Sequence, residues 1–240
     1  MSRTLGNGSV AGALAPEFLV TPALLDAISP SGDRGGMVLG CSADNEPLSV
    51  SVLRPQPTRL VLVGGLYLAH QLALRAMATG ARVVIATGRA AAWQLLVRAA
   101  GEGPDGRPTP LVQVCPLAQV ELPRASEDAP LLVMHDGGAI PQQLFPPHSP
   151  WQTTVYLLPY LHPQASRTAI DADLVLLQRL PAEQAQLAGG IWRLPASMTK
   201  QLAGLTDDGV VALGPNLWLP LRLVTTPAER EILGPVRRED

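Results

Sequence analysis

Two adjacent glycines, Gly64 and Gly65, follow the apolar run Leu60–Val63 and precede a helical pattern. Nucleotide-binding folds hold phosphate at such a strand–turn–helix junction, because backbone N–H groups and the helix dipole converge there on an anion. Two phosphate templates can be tested on it. The dinucleotide fingerprint GxGxxG needs a second glycine so that the backbone can approach the pyrophosphate. Counted from Gly64, its second and third slots hold Leu66 and Ala69. The next strand ends Ala86-Thr87-Gly88-Arg89, with no acid for a ribose hydroxyl, although an arginine there suits a 2′-phosphate. The P-loop GxxxxGK[ST] fits the spacing, with Ala69, His70 and Gln71 in its last three slots. Its lysine reaches the β/γ-phosphates and its hydroxyl holds Mg²⁺. His70 is mostly neutral at pH 7 and shorter than lysine, and Gln71 is not a hydroxyl ligand. The one lysine of the chain, Lys200, lies elsewhere. The expectation is a vestigial phosphate loop at Gly64, Gly65, Ala69, His70 and Gln71. Leu66 and Leu68 should fold inward and fill the triphosphate's space, and His70 should sit at the helix start, where the dipole disfavours its protonation. No cofactor is expected, with ATP and NADP as the alternatives.

Other chemistry is thinner. His135-Asp136 at a strand end has the composition of an acid–base pair, but a polar turn pair at the sheet edge is the simpler reading. His70, His135, His148 and His162 show no HxxxH or HExxH spacing, so no metal site is expected. Cys41 and Cys115 lack CxxC spacing and read as small buried residues. No serine sits in a GxSxG elbow, so no catalytic residue is assigned. Trp93, Trp151, Trp192 and Trp218 are dispersed and read as packing residues.

Composition sets the frame for these residues. Of 240 residues, 47% are apolar and 16% charged, with net charge −2, so one sizeable core is affordable and disorder is excluded. The charge balance argues against nucleic acid, and 4% aromatics argue against base-stacking platforms. The longest apolar stretch, Leu60–Leu74, includes His70 and Gln71 and falls short of the roughly 20 residues of a membrane span. The N-terminus lacks an h-region, so a cytoplasmic protein is expected.

Along the chain, residues 1–35 are rich in Gly, Ser and Pro, with one helical patch at PALLDAI, and read as a loosely attached arm. GMVLGC and PLSVSVL flank the turn Ala43–Pro47 as a hairpin. Short, continuously apolar strands are expected near 60–64, 82–87, 111–115, 131–135, 153–158 and 173–178, alternating with helical patterns ended by Gly80 and Gly101. DGVVALG and LWLPLRLVTT read as a closing hairpin. Such strands imply a parallel sheet covered on both faces, with ligands at the strands' carboxyl ends. These ends carry Gly64-Gly65, Thr87-Gly88-Arg89, His135-Asp136-Gly137 and Pro159-Tyr160.

In order and spacing the chain resembles the motor domain of FtsK/HerA-type translocation ATPases, which include the ATPases of type VII secretion. VLGCSADNEPLSV resembles the hairpin before their phosphate-loop strand. LLVMHDGG resembles the Walker B strand, with Asp136 in or beside its acidic slot, and TTVYLLPYL the following sensor strand. The likeness covers roughly residues 37–230. LRPQPTRLVLVGG and GARVVIATGR are also similar to actinobacterial proteins associated with type VII secretion. The resemblance implies a three-layer, mainly parallel α/β sheet of P-loop (RecA-like) type, with N- and C-terminal hairpins, over residues 36–231, followed by a tail at 232–240. The departures then imply loss of activity. The Walker A lysine and hydroxyl are missing, the activating glutamate has no counterpart (Gly137 or His135 takes the acidic slots), and the sensor position is apolar or Pro159-Tyr160. The expected function is a catalytically inactive, ATPase-like interaction component. Its partners would be secretion ATPase or membrane-complex proteins, met at the inner face of the membrane, with homo-oligomers allowed. The alternative is a nucleotide- or dinucleotide-binding enzyme or sensor that uses the Gly64-Gly65 turn.

Overall fold

The computed structural model describes residues 36–101, 109, 111–141 and 149–236, which belong to one compact unit. The expected arm at 1–35, with its PALLDAI patch, and His148 lie outside them. The apolar runs form ten strands, with β1 at Gly36–Cys41, β2 at Pro47–Ser51, β3 at Thr58–Val63, β4 at Arg82–Thr87 and β5 at Val112–Cys115. Further along come β6 at Leu131–Asp136, β7 at Gln152–Leu158, β8 at Leu174–Gln178, β9 at Gly209–Gly214 and β10 at Leu217–Leu223. One sheet contains them all, in the order β2-β1-β10-β9-β8-β3-β7-β6-β4-β5. From β8 to β5 neighbouring strands run parallel, and the β9–β10 and β1–β2 hairpins extend the sheet antiparallel beyond β8. The expected α/β class, the six parallel strands and both hairpins are all present.

Strands buried on both faces lose the alternation of a half-exposed strand and read as continuous apolar runs. All six residues of β6 are buried, as are five of six in β3. Leu60 and Leu62 face one layer, where α1 (Leu66–Ala78), α2 (Gln94–Ala100) and α6 (Pro227–Leu233) pack. Val61 and Val63 face the other, covered by α4 (Ala182–Trp192) and α5 (Ala196–Ala203). Behind β4 and β6 the cover is the extended stretch from Leu117 to Ala125. A short 3₁₀ turn, Ala90–Trp93, leads into α2, and α3 (Ser166–Ile170) precedes β8.

Arg75 on α1 ties four elements together. Its guanidinium donates to both Glu229 oxygens on α6, at 2.8 Å from Nη2 to Oε2, and to the carbonyls of Val38 on β1 and Val224 just after β10. Glu229 also closes a capping box, its Oε2 accepting the Thr226 N–H at 2.9 Å while Thr226 Oγ1 accepts the Glu229 N–H at 3.1 Å. Burial pushes the Glu229 carboxyl up, but the bonds and charge of Arg75, with the Thr226 amide, outweigh this and hold its pKa below the ordinary value. Breaking a buried pair from one side leaves an uncompensated charge and costs about 3–5 kcal/mol. Arg75→Met should therefore lose that much in urea unfolding, and Arg75→Met/Glu229→Gln distinctly less. Equal losses in the two variants would show that the pair's charge does not matter here.

Candidate functional site

Parallel register brings the chemistry-bearing positions to one edge. Val63 lies opposite Leu158 and Leu177, and Thr87 opposite Asp136. Gly64-Gly65, Thr87, Arg89, Asp136 and Gln178 therefore gather at the carboxyl ends of four parallel strands, β3, β4, β6 and β8.

The junction after β3 is tighter than either phosphate template. Helix α1 begins at Leu66 with Gly65 as its N-cap, so only two residues separate strand from helix. A P-loop spends five residues between its first glycine and its lysine, arching backbone amides around the anion. Here Leu66 through Gln71, which would form that arch and its working residues, are already helical and all buried. The remaining amides at the turn are engaged. The Gly64 N–H donates to the Leu158 carbonyl at 3.0 Å and the Gly65 N–H to Gln178 Oε1 at 2.7 Å. Gly64 has φ 154°, and a Cβ there would come within 2.1 Å of that same Gln178 oxygen. Glycine is needed because the Gln178 side chain, itself 1% exposed, is pressed against the turn. Leu66 and Leu68 fold inward as expected. His70 is five residues into the helix, not at its first turn, and points back into the core.

Asp136 is the second centre. Its side chain is 2% exposed. Oδ2 accepts from Thr87 Oγ1 and Trp93 Nε1, both at 2.8 Å, and from Arg89 Nε at 2.9 Å. Oδ1 accepts from Arg89 Nη2 at 2.9 Å. Oδ2 thus takes three donors, and the Arg89 guanidinium spans both oxygens, its Nε also 3.2 Å from Oδ1. Thr87 Oγ1 also accepts the Arg89 N–H at 2.9 Å, which turns the arginine back over the acid. Burial raises the Asp136 pKa, but the Arg89, Trp93 and Thr87 bonds and the guanidinium charge overcome it, and the group is held ionised below the ordinary carboxylate range. The ring of His70 meets Trp93 edge-on, centroids 4.8 Å apart.

His135 and Asp136 do not form an acid–base pair. Successive strand residues point to opposite faces. Asp136 shares its face with Met134 and Trp93. His135 shares the other with Val133 and lies 5.4 Å, ring to ring, from Tyr156. Pro159-Tyr160 adds nothing to the cluster, and Tyr160 is half exposed. Among the described residues no group of three His, Cys, Asp or Glu side chains could hold a metal, and no helix is long and apolar enough to cross a membrane.

Sequence reading placed Asp136 and the glycines but missed their partners. Trp93 was expected only to pack, yet it is also a hydrogen-bond donor to the acid. Arg89 was weighed as a ligand for a 2′-phosphate, whereas its guanidinium is spent on Asp136. Nothing marked Gln178, 113 residues from the amide it caps.

No family model matches this sequence, and no curated protein does. Solved structures similar in fold include the following two. One is VirB4 of Thermoanaerobacter pseudethanolicus, at 10% identity and TM-score 0.51, covering 82% of this chain and 98% of that one. The other is the genome packaging NTPase B204 of Sulfolobus turreted icosahedral virus 2 in complex with AMPPCP, at 10% identity and TM-score 0.48, covering 70% and 98%. The chain shares with VirB4 a mostly parallel, mixed α/β sheet fold. At this identity the likeness covers architecture alone, and the site must be argued from its own residues.

Burial lowers the pKa of both His70 and His135 to about 4, outweighing a hydrogen bond from His70 to the Ala92 carbonyl and the pull of Asp136 on each. In the unfolded chain both titrate at 6.5. Between pH 6.5 and 4 the unfolded state thus binds more protons, so stability is lost as pH falls through that window, by roughly 2 kcal/mol per histidine at pH 5. Asp136 and Glu229, with lowered pKa values, lose their contributions only on further acidification. Urea unfolding at pH 8 and pH 5 should show this loss, and His70→Phe should remove about half of it. An unchanged pH slope in that variant would mean that His70 is protonated in the folded state.

Proposed function

We propose that this chain is a catalytically inactive, ATPase-like protein that acts as an interaction component of a translocation machine, specifically of type VII secretion. The observation that carries the first part is the closed state of the Asp136 carboxylate. A Walker B acid works by holding a metal-bound water, which needs open lone pairs facing the phosphates. Here Arg89 stands where that cation's charge would be, and Trp93 and Thr87 take the remaining positions. The two-residue junction and the Gln178 cap on Gly65 support the same reading from the phosphate side. Leu66 and Leu68 lie within the core. Loss of the lysine and hydroxyl of the phosphate loop is therefore accompanied by rebuilt packing.

The second part rests on the order and spacing shared with FtsK/HerA-type motor domains and on the fold likeness to VirB4. A protein with this fold and no working site keeps its outer surfaces. Binding to a secretion ATPase or to membrane-complex components at the inner face of the membrane is the role left to it. On this reading an arm at 1–35 precedes a domain from 36 that α6 carries past 231 to the buried Leu233, with a shorter tail beyond.

Purified protein should show no ATP hydrolysis above background, and no thermal shift or calorimetric heat with ATP–Mg²⁺, NAD or NADP. Saturable ATP binding, or turnover that falls on His70→Ala, would overturn the inactive reading in favour of a nucleotide-binding enzyme or sensor. Leu66→Gly should lower the unfolding midpoint, since a buried leucine is lost at about 2–5 kcal/mol. It should also leave ATP unbound; affinity gained by that single change would mean that the leucine alone blocks a preserved site.

A further inference from the structure

The ten-strand order ends at β2, which among the described residues pairs on one side only, with β1. A terminal strand presents a row of backbone donors and acceptors, and folds usually blunt it with charge, proline or a bulge. β2 has little of this. Residues 47–51 carry no charge, and the proline stands at the first position, where it removes a single end donor. The register shift between β1 and β2 lies at Val38 and Gly40, on the inner strand, so β2 itself is not bulged. Val50 is buried and Leu48 packs against the main core, while Ser49 is exposed.

We propose that β2 is a homodimer contact, pairing antiparallel with β2 of a second copy about a two-fold axis at Ser49. Antiparallel pairing keeps directly opposed side chains on one face of the sheet. With the axis at Ser49, Leu48 faces Val50 of the second copy and Pro47 faces Ser51, so all five residues are paired. The apolar faces then run on from one copy to the other. A one-residue slip would set Leu48 opposite an exposed serine and turn one copy's apolar set outward. Slips of two residues keep the faces but give up paired positions. Charge fits the same register. Asp44 and Glu46 are exposed at the start of the strand and Arg54 follows its end. Antiparallel pairing therefore directs the acidic end of each copy to the arginine end of the other, with no like charges opposed.

The register makes Ser49 its own neighbour across the axis, and this gives a test. Sedimentation equilibrium over a concentration series should find the parent chain dimeric. Ser49→Asp and Ser49→Lys each set two like charges face to face. Each should run as a monomer at concentrations where the parent is a dimer, with the thermal midpoint of the parent diluted into its monomeric range, because the side chain is exposed. An equimolar mixture of the two variants should recover the dimer, since Asp then faces Lys. A parent chain that stays monomeric would overturn the contact. So would variants as dimeric as the parent, or a mixture that remains monomeric; a variant whose midpoint falls below that of the diluted, monomeric parent would show that position 49 serves the fold of the single chain instead.

Discussion

A carboxylate buried at the end of β6 cannot remain charged on its own, and much of the sheet's carboxyl edge is arranged around that fact. Removing an isolated carboxylate from water costs far more than any one packing contact returns, so a buried acid must be paired and hydrogen-bonded or lose its charge. Asp136 is fully paired, and every partner comes from the β4–α2 connection. Thr87 ends the strand, Arg89 turns back over the acid, and the 3₁₀ turn brings in Trp93. Trp93 in turn supports His70, and His70 belongs to the helix that leaves β3 after two glycines. One buried charge thus links the two strand–helix junctions, after β3 and after β4, at the carboxyl edge of the sheet.

The same principle recurs on α1. Arg75, with Glu229, links the helix to β1, to the exit of β10 and to α6. A centre strand followed by a short helix is held from both ends, by the Asp136 cluster near its N-terminus and by the arginine clasp near its C-terminus. The apolar faces of α1 supply the bulk of the packing, and the two charged centres fix which way the helix lies.

How much of this could be read from the chain follows from the range of each interaction. β3, β4 and β6 are continuous apolar runs with β-branched residues, closed by glycine or a polar turn, and local pattern suffices for them. The hairpins announce themselves through their turns, Asn45 with φ 65° among them. The length of the β3–α1 junction was not legible, because Gly-Gly-Leu-Tyr-Leu-Ala suits a loop or a first helical turn equally well. Packing decides it: Leu66 and Leu68 reach the core only if the helix starts at once. Partners were least legible. Arg89 and Asp136 lie 47 residues apart and Gly65 and Gln178 lie 113 apart, and only the strand order makes them neighbours. Period-two alternation alone puts His135 and Asp136 on opposite faces, which agrees with assigning them no acid–base role.

On the proposed reading, these couplings bear on what it would take to give the site the chemistry of an ATPase. A lysine at position 70 would enter a pocket that holds a neutral imidazole with its pKa lowered to about 4 by burial. It would meet Trp93 and the already paired charges of Asp136 and Arg89, which pull in opposite directions at this position. A serine at position 71 would remove a glutamine whose Nε2 donates to the Val224 carbonyl at 2.9 Å. Freeing Asp136 for a metal would require removing Arg89, which leaves the buried acid short of its main counter-charge. A helix that starts two residues after the strand also has no arch of amides for a phosphate, whatever its side chains. Each correction removes a bond that now stabilises the fold, and because the residues share partners the costs do not simply add. On the reading proposed above, the absence of catalytic side chains is therefore the lesser part of the change. The greater part, on that same reading, is that neighbouring elements pack into the space and onto the charge that a nucleotide would need.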